Sequence, residues 1–199
     1  MLREQGFGAA SAKALAKIIR EADRLASLDL SLNNLSQGLQ SLFHGVIDNS
    51  TLVALTMKNN SIDGRRFQQE IFDLVYEHPS LASLNLGNTL TVKNRNRIHN
   101  EGLSAILQAV ATSQAPSLLQ ELYLSNCSIN AKGLRHFGLL EEHQATFHLQ
   151  ILDLSHNELG SETPNLIKYV IPTLISLNLS YTKMGTRGVF LLSQHLKAA

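Results

Sequence analysis

One pattern of leucine and asparagine recurs along the chain and limits what the chain can fold into. Leucine stands at Leu149, Leu152 and Leu154, and Asn157 and Leu159 follow at fixed spacing. The alternation over 151–155 predicts a short strand whose leucines face a core. An asparagine side chain both donates and accepts, so Asn157 is expected to pair the backbone groups of the following turn. A unit of this size cannot bury its apolar side alone, so neighbouring units must stack on it.

Five more copies of the pattern predict a solenoid. The six copies begin at Leu25, Leu52, Leu81, Leu119, Leu149 and Leu174. Their spacings of 27, 29, 38, 30 and 25 residues leave room for an α-helix between strands. We therefore expect an α/β solenoid with a curved parallel sheet on its concave side and helices on its convex side, in one domain over residues 1–199. Residues 1–24 show helical spacing and are either a cap or part of a further repeat.

The pattern resembles the leucine-rich repeat family over nearly the whole chain. At the polar position three residues after the last strand leucine, which we call the ladder position, stand Asn33, Asn60, Thr89, Cys127, Asn157 and Thr182. Long repeats with Asn, Cys or Thr at this position resemble the ribonuclease-inhibitor-like class. That class also includes the repeat regions of Ran GTPase-activating protein, tropomodulin and innate immune receptors. Ser36, after the first copy, is expected to be a helix N-cap.

The composition of the chain limits which kinds of partner and which cellular compartment we expect. The formal net charge is only +1, so the chain as a whole has no strong electrostatic attraction to nucleic acid or to an anionic membrane. No stretch approaches the roughly 20 apolar residues of a membrane-spanning helix. The single cysteine, Cys127, excludes an internal disulfide and favours a reducing, cytoplasmic compartment. The pattern does not distinguish a resident protein from an effector delivered into another cell, and we expect a monomer.

The third repeat departs from the others because it is about nine residues longer. The excess is assigned to Leu90–Ile98, between strand and helix, and we expect it to form a surface loop. Its cations Lys93, Arg95 and Arg97 could meet phosphate, but no aromatic residues are interleaved with them as in a nucleic-acid site. Loops on a rigid scaffold often carry function, so a binding loop and a tolerated insertion are both open.

No catalytic, cofactor or metal motif is predicted. Cys127 and His136 could be read as a nucleophile and its base, but position 127 is a ladder position, where a buried thiol has a structural role. His143 and His148, with two neighbouring glutamates, lack the spacing of a helical metal site. We therefore expect no enzymatic activity.

The inner face of the sheet is the surface best suited to a partner, because residues between the core leucines must point away from the core. Its central row is predicted to hold Asp29, Thr56, Asn85, Tyr123, Asp153 and Asn178. Ile151 flanks this row on one side, and Ser31, Lys58, Gly87, Ser125, Ser155 and Ser180 flank it on the other. The strand exits are predicted to add Asn59, Asn88, Asn126, His156 and Tyr181. Tyr123 and Tyr181 are the expected anchors.

The leading functional hypothesis is a module that binds another protein on this face and on the basic loop, as an inhibitor, adaptor or effector. Resemblance to Ran GTPase-activating protein implies an alternative, an activator of a small GTPase that acts through Asn94 or Arg95. A third hypothesis is a structural repeat segment of a larger receptor or cytoskeletal protein, which an apolar patch at either end of the array would favour.

Overall fold

The computed structural model describes residues 1–35, 38–91 and 93–198, so the expected cap at Ser36 lies outside the described residues. Six parallel strands form one sheet in chain order. They are β1 (Ser27–Asp29), β2 (Ala54–Thr56), β3 (Ser83–Asn85), β4 (Glu121–Tyr123), β5 (Ile151–Asp153) and β6 (Ser176–Asn178). Each strand pairs with the next residue for residue. The copies of the sequence pattern are therefore stacked in register, and the predicted solenoid is confirmed.

Helical segments return the chain between strands. The α-helices are α1 (Ala9–Glu21), α2 (Leu39–Ile47), α3 (Gln68–Glu77), α4 (His99–Thr112), α5 (Ala131–Leu134), α6 (Gly138–Glu142), α7 (Thr163–Leu166) and α8 (Gly185–Ala198). Turns of 3₁₀-helix lie at Arg135–Phe137, between α5 and α6, and at Ile171–Thr173, after α7. No helix in the described part of the chain has both the length and the apolar character needed to cross a bilayer.

The core lies between the sheet and the helices. The middle leucine of each of the first five strands is at most 5% exposed. On the helix side, Phe43 and Phe137 are fully buried. These side chains belong to one connected apolar cluster that runs from α1 to the 3₁₀ turn at Ile171–Thr173. Since all layers share this interior, removing a side chain from one repeat also loosens its neighbours.

The segment before α1 repeats the turn of the later units. The N–H groups of Leu2 and Glu4 donate to the carbonyls of Asp29 and Ser31 at 2.9 and 3.0 Å. Leu30 and Leu32 make the same bonds to the next repeat, at 2.8 and 2.9 Å. Residues 1–24 therefore contain a strand exit, a turn and a helix.

The sixth repeat is less buried than the others. Leu177 in β6 is only half-buried. Ile175 is 81% exposed, and Val189, Phe190 and Leu196 of α8 are 58–61% exposed. An apolar surface therefore lies at this end of the described array.

Candidate functional site

The inner face of the sheet carries one continuous row of polar side chains. Strand pairing places the six predicted residues of this row side by side: Asp29, Thr56, Asn85, Tyr123, Asp153 and Asn178. Asn178 is exposed and the other five are half-buried. A parallel row runs beside it, through Ser27, Ala54, Ser83, Glu121, Ile151 and Ser176. No layer of the described chain covers these rows.

Four residues of the central row also hold the ends of their own strands. The side-chain oxygens of Asp29 and Asp153 each accept the N–H two residues later at 2.9 Å. Asn85 and Asn178 do the same at 3.1 Å. All six strands are three residues long, so β5 stops at Asp153 and does not reach Ser155 as predicted. The four side chains are therefore oriented by the fold before any partner arrives.

Tyr123 and Glu121 form the centre of the face. One carboxylate oxygen of Glu121 accepts from the hydroxyl of Ser83 at 2.8 Å and from the hydroxyl of Tyr123 at 3.3 Å. Burial raises the pKa of Tyr123, and the nearby carboxylates of Glu121 and Asp153 raise it further. Ile151 is opposite Glu121 in the strand pairing. An aromatic ring, an aliphatic side chain and two carboxylates thus occupy neighbouring positions on β4 and β5.

Three of the six residues in the next predicted row are inaccessible, whereas Ser180 is exposed. Ser31, Gly87 and Ser155 are buried, so their assignment to the inner surface is wrong. Lys58 and Ser125 are half-buried and remain at the margin, where the hydroxyls of Ser125 and Ser155 are 2.9 Å apart. Beyond the third residue of each strand, the chain already bends toward the neighbouring repeat.

Three of the predicted strand-exit residues are buried as well. Asn59, Asn88 and Asn126 are only 1%, 7% and 9% exposed, so they are not surface contacts. Asn59 and Asn126 have positive φ angles of 52° and 56°. Their side chains donate to, or accept from, groups in and next to the inserted loop. Their role in this structure is to hold that loop.

His156 and Tyr181 form an accessible aromatic pair at the same edge. Their rings are stacked, with centroids 4.5 Å apart and an angle of 12° between the planes. Tyr181 is 79% exposed, whereas His156 is half-buried. The pair extends the candidate surface beyond the central row, at the exits of β5 and β6.

Asn96, and not Thr89, has the ladder role in the third repeat. Its Oδ1 accepts the N–H groups of Asn60 and Ile62 at 2.8 and 3.0 Å. Its Nδ2 donates to the carbonyls of Met57 and Leu86 at 2.8 and 2.9 Å. Asn157 makes the equivalent set of bonds two repeats later. The excess residues, which form the inserted loop, are therefore sequence positions 89–95 and precede the ladder residue Asn96. The predicted position of the loop, Leu90–Ile98 following a ladder residue at Thr89, is wrong.

Asn88 closes the base of the inserted loop. Its Oδ1 accepts the N–H of Asn96 at 2.7 Å, and its Nδ2 donates to the carbonyl oxygens of Asn96 and Asn126, each at 2.8 Å. The guanidinium of Arg95 donates to the carbonyl of Asn126 at 3.1 Å and also to its side-chain oxygen. The buried asparagines thus fix where the cations of the loop stand.

Lys93, Arg95 and Arg97 lie together at the edge of the sheet. All three line a groove of about 570 Å³. Arg95 and Ser128 also line a second groove of about 370 Å³, which reaches His156. None of the residues that line either groove belongs to the central row. The predicted loop residues therefore form a site of their own, next to the inner face.

Cys127 is packed inside the turn. The thiol is fully buried, and its Sγ lies 3.3 Å from the carbonyl oxygen of Leu86, to which it donates. Burial raises its pKa far above the ordinary range of a thiol. His136 instead has its Nδ1 3.3 Å from the hydroxyl of Ser104. The described residues contain no group of three His, Cys, Asp or Glu side chains able to hold a metal.

Comparisons with known proteins agree with this architecture. One leucine-rich repeat family model matches residues 147–162 and 170–193, and a second matches 118–140. Among 43 matching solved chains is a tropomodulin C-terminal domain from Caenorhabditis elegans. It is 15% identical, with a TM-score of 0.50, over 94% of this chain and 91% of that one. Actin-binding site 2 of leiomodin-1 matches at 15% identity and a TM-score of 0.46, over 94% and 89% of the two chains. No curated protein sequence matches.

The stacked strand–turn–helix units and the matched repeat models define the class. The chain has the fold of a leucine-rich repeat solenoid. The finer assignment to the ribonuclease-inhibitor-like class stays a prediction.

Proposed function

We propose that the chain is a protein-binding module that holds another protein against its inner sheet face. The observation that carries this proposal is the in-register row from Asp29 to Asn178, which no other layer of the described chain covers. Parallel sheets are normally covered on both faces, so an open face of this kind is available for contact. An inhibitor, an adaptor and an effector would share this mechanism. Each acts by blocking a site on its partner or by recruiting the partner, and none needs a catalytic group.

The centre of the face supplies the expected anchors. Tyr123 offers a large ring at low entropic cost, and Ile151 adds an apolar contact nearby. Glu121 and Asp153 surround the ring with negative charge, which favours a partner surface that carries lysine or arginine. The strand-end bonds of Asp153 and its equivalents hold the row in place, so little ordering energy is lost on binding.

The test uses residues of the face that do not hold strand ends. In Y123S/I151K the tyrosine anchor is removed and a charge is placed next to it. The matched control, Y76S/I18K, makes the same changes on the helix side, where Tyr76 and Ile18 are 42% and 63% exposed. Wild type and both variants are used as bait in extract of the native cell, and captured proteins are quantified by mass spectrometry. Circular dichroism first establishes that each variant is folded.

We expect one captured protein to be lost with Y123S/I151K and retained with Y76S/I18K. A partner retained by the folded Y123S/I151K variant would rule out the inner face as its binding surface. Loss of the captured protein with Y76S/I18K alone would show that the partner binds the helix side of the molecule.

A second candidate function rests on the exposed apolar side chains of the sixth repeat. A structural segment of a larger receptor or cytoskeletal assembly needs such a face to pack on a neighbouring unit. Val189 and Phe190 provide it on α8. If the chain has this role, V189S/F190S loses its captured neighbours while Y123S/I151K keeps them, which is the reverse of the result expected for the inner face.

A further inference from the structure

Three cations in and just after the inserted loop face one groove that the inner-face proposal does not use. Lys93, Arg95 and Arg97 are exposed, whereas Asn96 and Ile98 are buried. Arg95 and Arg97 alternate with these two buried residues as in an extended chain, so their side chains share one side of the segment, and Lys93 lines the same groove. The groove they line has a volume of about 570 Å³ and is completed by Ser61, His99 and Ser128.

The backbone holds this segment against the second repeat. The N–H of Arg97 donates to the carbonyl of Ile62 at 2.6 Å, and the N–H of Gly64 donates to the carbonyl of Arg97 at 2.8 Å. The N–H of Ser61 donates to the carbonyl of Asn94 at 3.0 Å. Together with the bonds from Arg95 to Asn126, these contacts place Arg95 and Arg97 before a ligand arrives. Such preorganisation lowers the cost of binding.

The charges of the groove are not balanced within the described chain. Three cations and one carboxylate, Asp63, line it, so the formal sum is +3 − 1 = +2. Asp63 is already bonded, since its Oδ1 accepts the N–H of Arg65 at 2.9 Å. In the described residues, no carboxylate oxygen lies within 4.0 Å of the side-chain nitrogens of Lys93, Arg95 or Arg97.

We propose that this groove binds a phosphate group. A phosphoryl group carries about −1.5 to −2 charges near neutral pH, which matches the sum above, whereas a carboxylate would balance only half of it. Its oxygens only accept hydrogen bonds, and the guanidinium, ammonium, hydroxyl and imidazole groups of the groove supply donors. The source is either a phosphorylated side chain of another protein or a small free phosphate. This site goes beyond the proposed function, because its binding can be measured without any protein partner.

The experiment is a titration of the isotopically labelled chain with inorganic phosphate and with O-phospho-L-serine, followed by NMR at constant ionic strength. The variant K93Q/R97Q removes two cations of the groove and leaves Arg95, which is bonded to Asn126. The matched control K13Q/K17Q removes the same charge from exposed positions of α1. Thermal unfolding establishes that both variants are folded.

We expect saturable shifts at the groove residues, with affinity about tenfold or more weaker in K93Q/R97Q and unchanged in K13Q/K17Q, because each lost charge-assisted hydrogen bond is costly. Tighter binding of O-phospho-L-serine assigns the site to a phosphorylated side chain, and tighter binding of inorganic phosphate assigns it to the free ion. The proposal is overturned if the shifts do not saturate, or if both variants weaken binding equally.

Discussion

The backbone N–H of Asn60 donates to the side-chain oxygen of Asn96 at 2.8 Å, across the boundary between the second and third repeats. This bond links the ladder residues of the second and third repeats, although the inserted loop precedes Asn96 in the chain. The loop is therefore an insertion that comes before the regular turn of the repeat. Hydrogen bonds between Asn88 and Asn96 hold its two ends together.

Replacing Asn96 tests this ladder assignment. N96A leaves buried backbone groups of Asn60, Ile62, Met57 and Leu86 without their partner, and we expect a loss of about 1–3 kcal/mol for each group that finds no substitute. T89A removes a single half-buried bond to Asn59 at 3.0 Å and should cost about 1 kcal/mol or less. Denaturant unfolding measures both, with N157A as the matched ladder variant. Equal losses for T89A and N96A would contradict the assignment.

His78 should make the fold sensitive to mild acid. The ring is 7% exposed, and its Nδ1 accepts the N–H of Ser80 at 3.2 Å. Burial lowers its pKa from the ordinary 6.5, although the nearby Val46 carbonyl opposes this change. Between 6.5 and the lowered value the unfolded chain takes up the proton and the folded chain does not. The contribution of His78 is therefore complete above about pH 6.5 and is lost as the pH falls below it.

The preceding repeat provides the variant for this test. Asn49 occupies the place equivalent to His78, and its Oδ1 accepts the N–H of Thr51 at 2.9 Å. H78N can therefore keep the bond without a titrating group. The free energy of unfolding, measured from pH 7.5 to 5, should fall less steeply for H78N than for wild type. The exposed His143 provides the control H143N, and a slope unchanged in H78N would show that His78 does not carry the effect.

The thiol of Cys127 should be unreactive in the folded chain. Its complete burial blocks access, and its raised pKa removes the thiolate that attacks electrophiles. Iodoacetamide at pH 8, followed by mass spectrometry, should add a single label only when denaturant is present. Because Cys127 is the one cysteine of the sequence, the label reports on this site alone. Rapid labelling without denaturant would mean that the turn opens readily.

Tyr123 should ionise at higher pH than an ordinary tyrosine. Burial, Glu121 and Asp153 all raise its pKa above 10.0. The difference between the absorbance titrations of wild type and Y123F isolates this ring from the other three tyrosines. E121Q should move the midpoint partway back toward 10.0, since burial remains. A midpoint in wild type at or below the ordinary value would contradict the geometry of the inner face.

The repeat pattern was enough to predict the strands, their order and the row on the inner face. Each of these features follows from leucine spacing and from alternation along the strand. The pattern could not show which exit residues are buried. Asn59, Asn126 and Tyr181 all have positive φ angles, yet Tyr181 is exposed, whereas the two asparagines are buried and bond to the inserted loop. Alternation along a strand does not reveal such contacts between repeats.

Counting from the strand places the ladder residue of the third repeat at Thr89, which is wrong because the inserted residues shift it to Asn96. A signal for it is present in the sequence. Asn96-Arg97-Ile98 repeats the form of Asn60-Ser61-Ile62 and Asn157-Glu158-Leu159, a ladder residue followed two positions later by an aliphatic one. The basic groove could not be found in this way, since Ser61, His99 and Ser128 come from three different turns.

Tyrosine labelling can show whether a partner covers the inner face. Tyr123 lies on that face, and Tyr76 lies on the helix side of the same molecule as an internal control. A tyrosine-selective reagent is applied to the chain alone and to its complex with the protein captured from the native cell, and each site is quantified by mass spectrometry. We expect the partner to protect Tyr123 and to leave Tyr76 unchanged. Protection of Tyr76 with full labelling of Tyr123 would rule out the inner face as the binding surface.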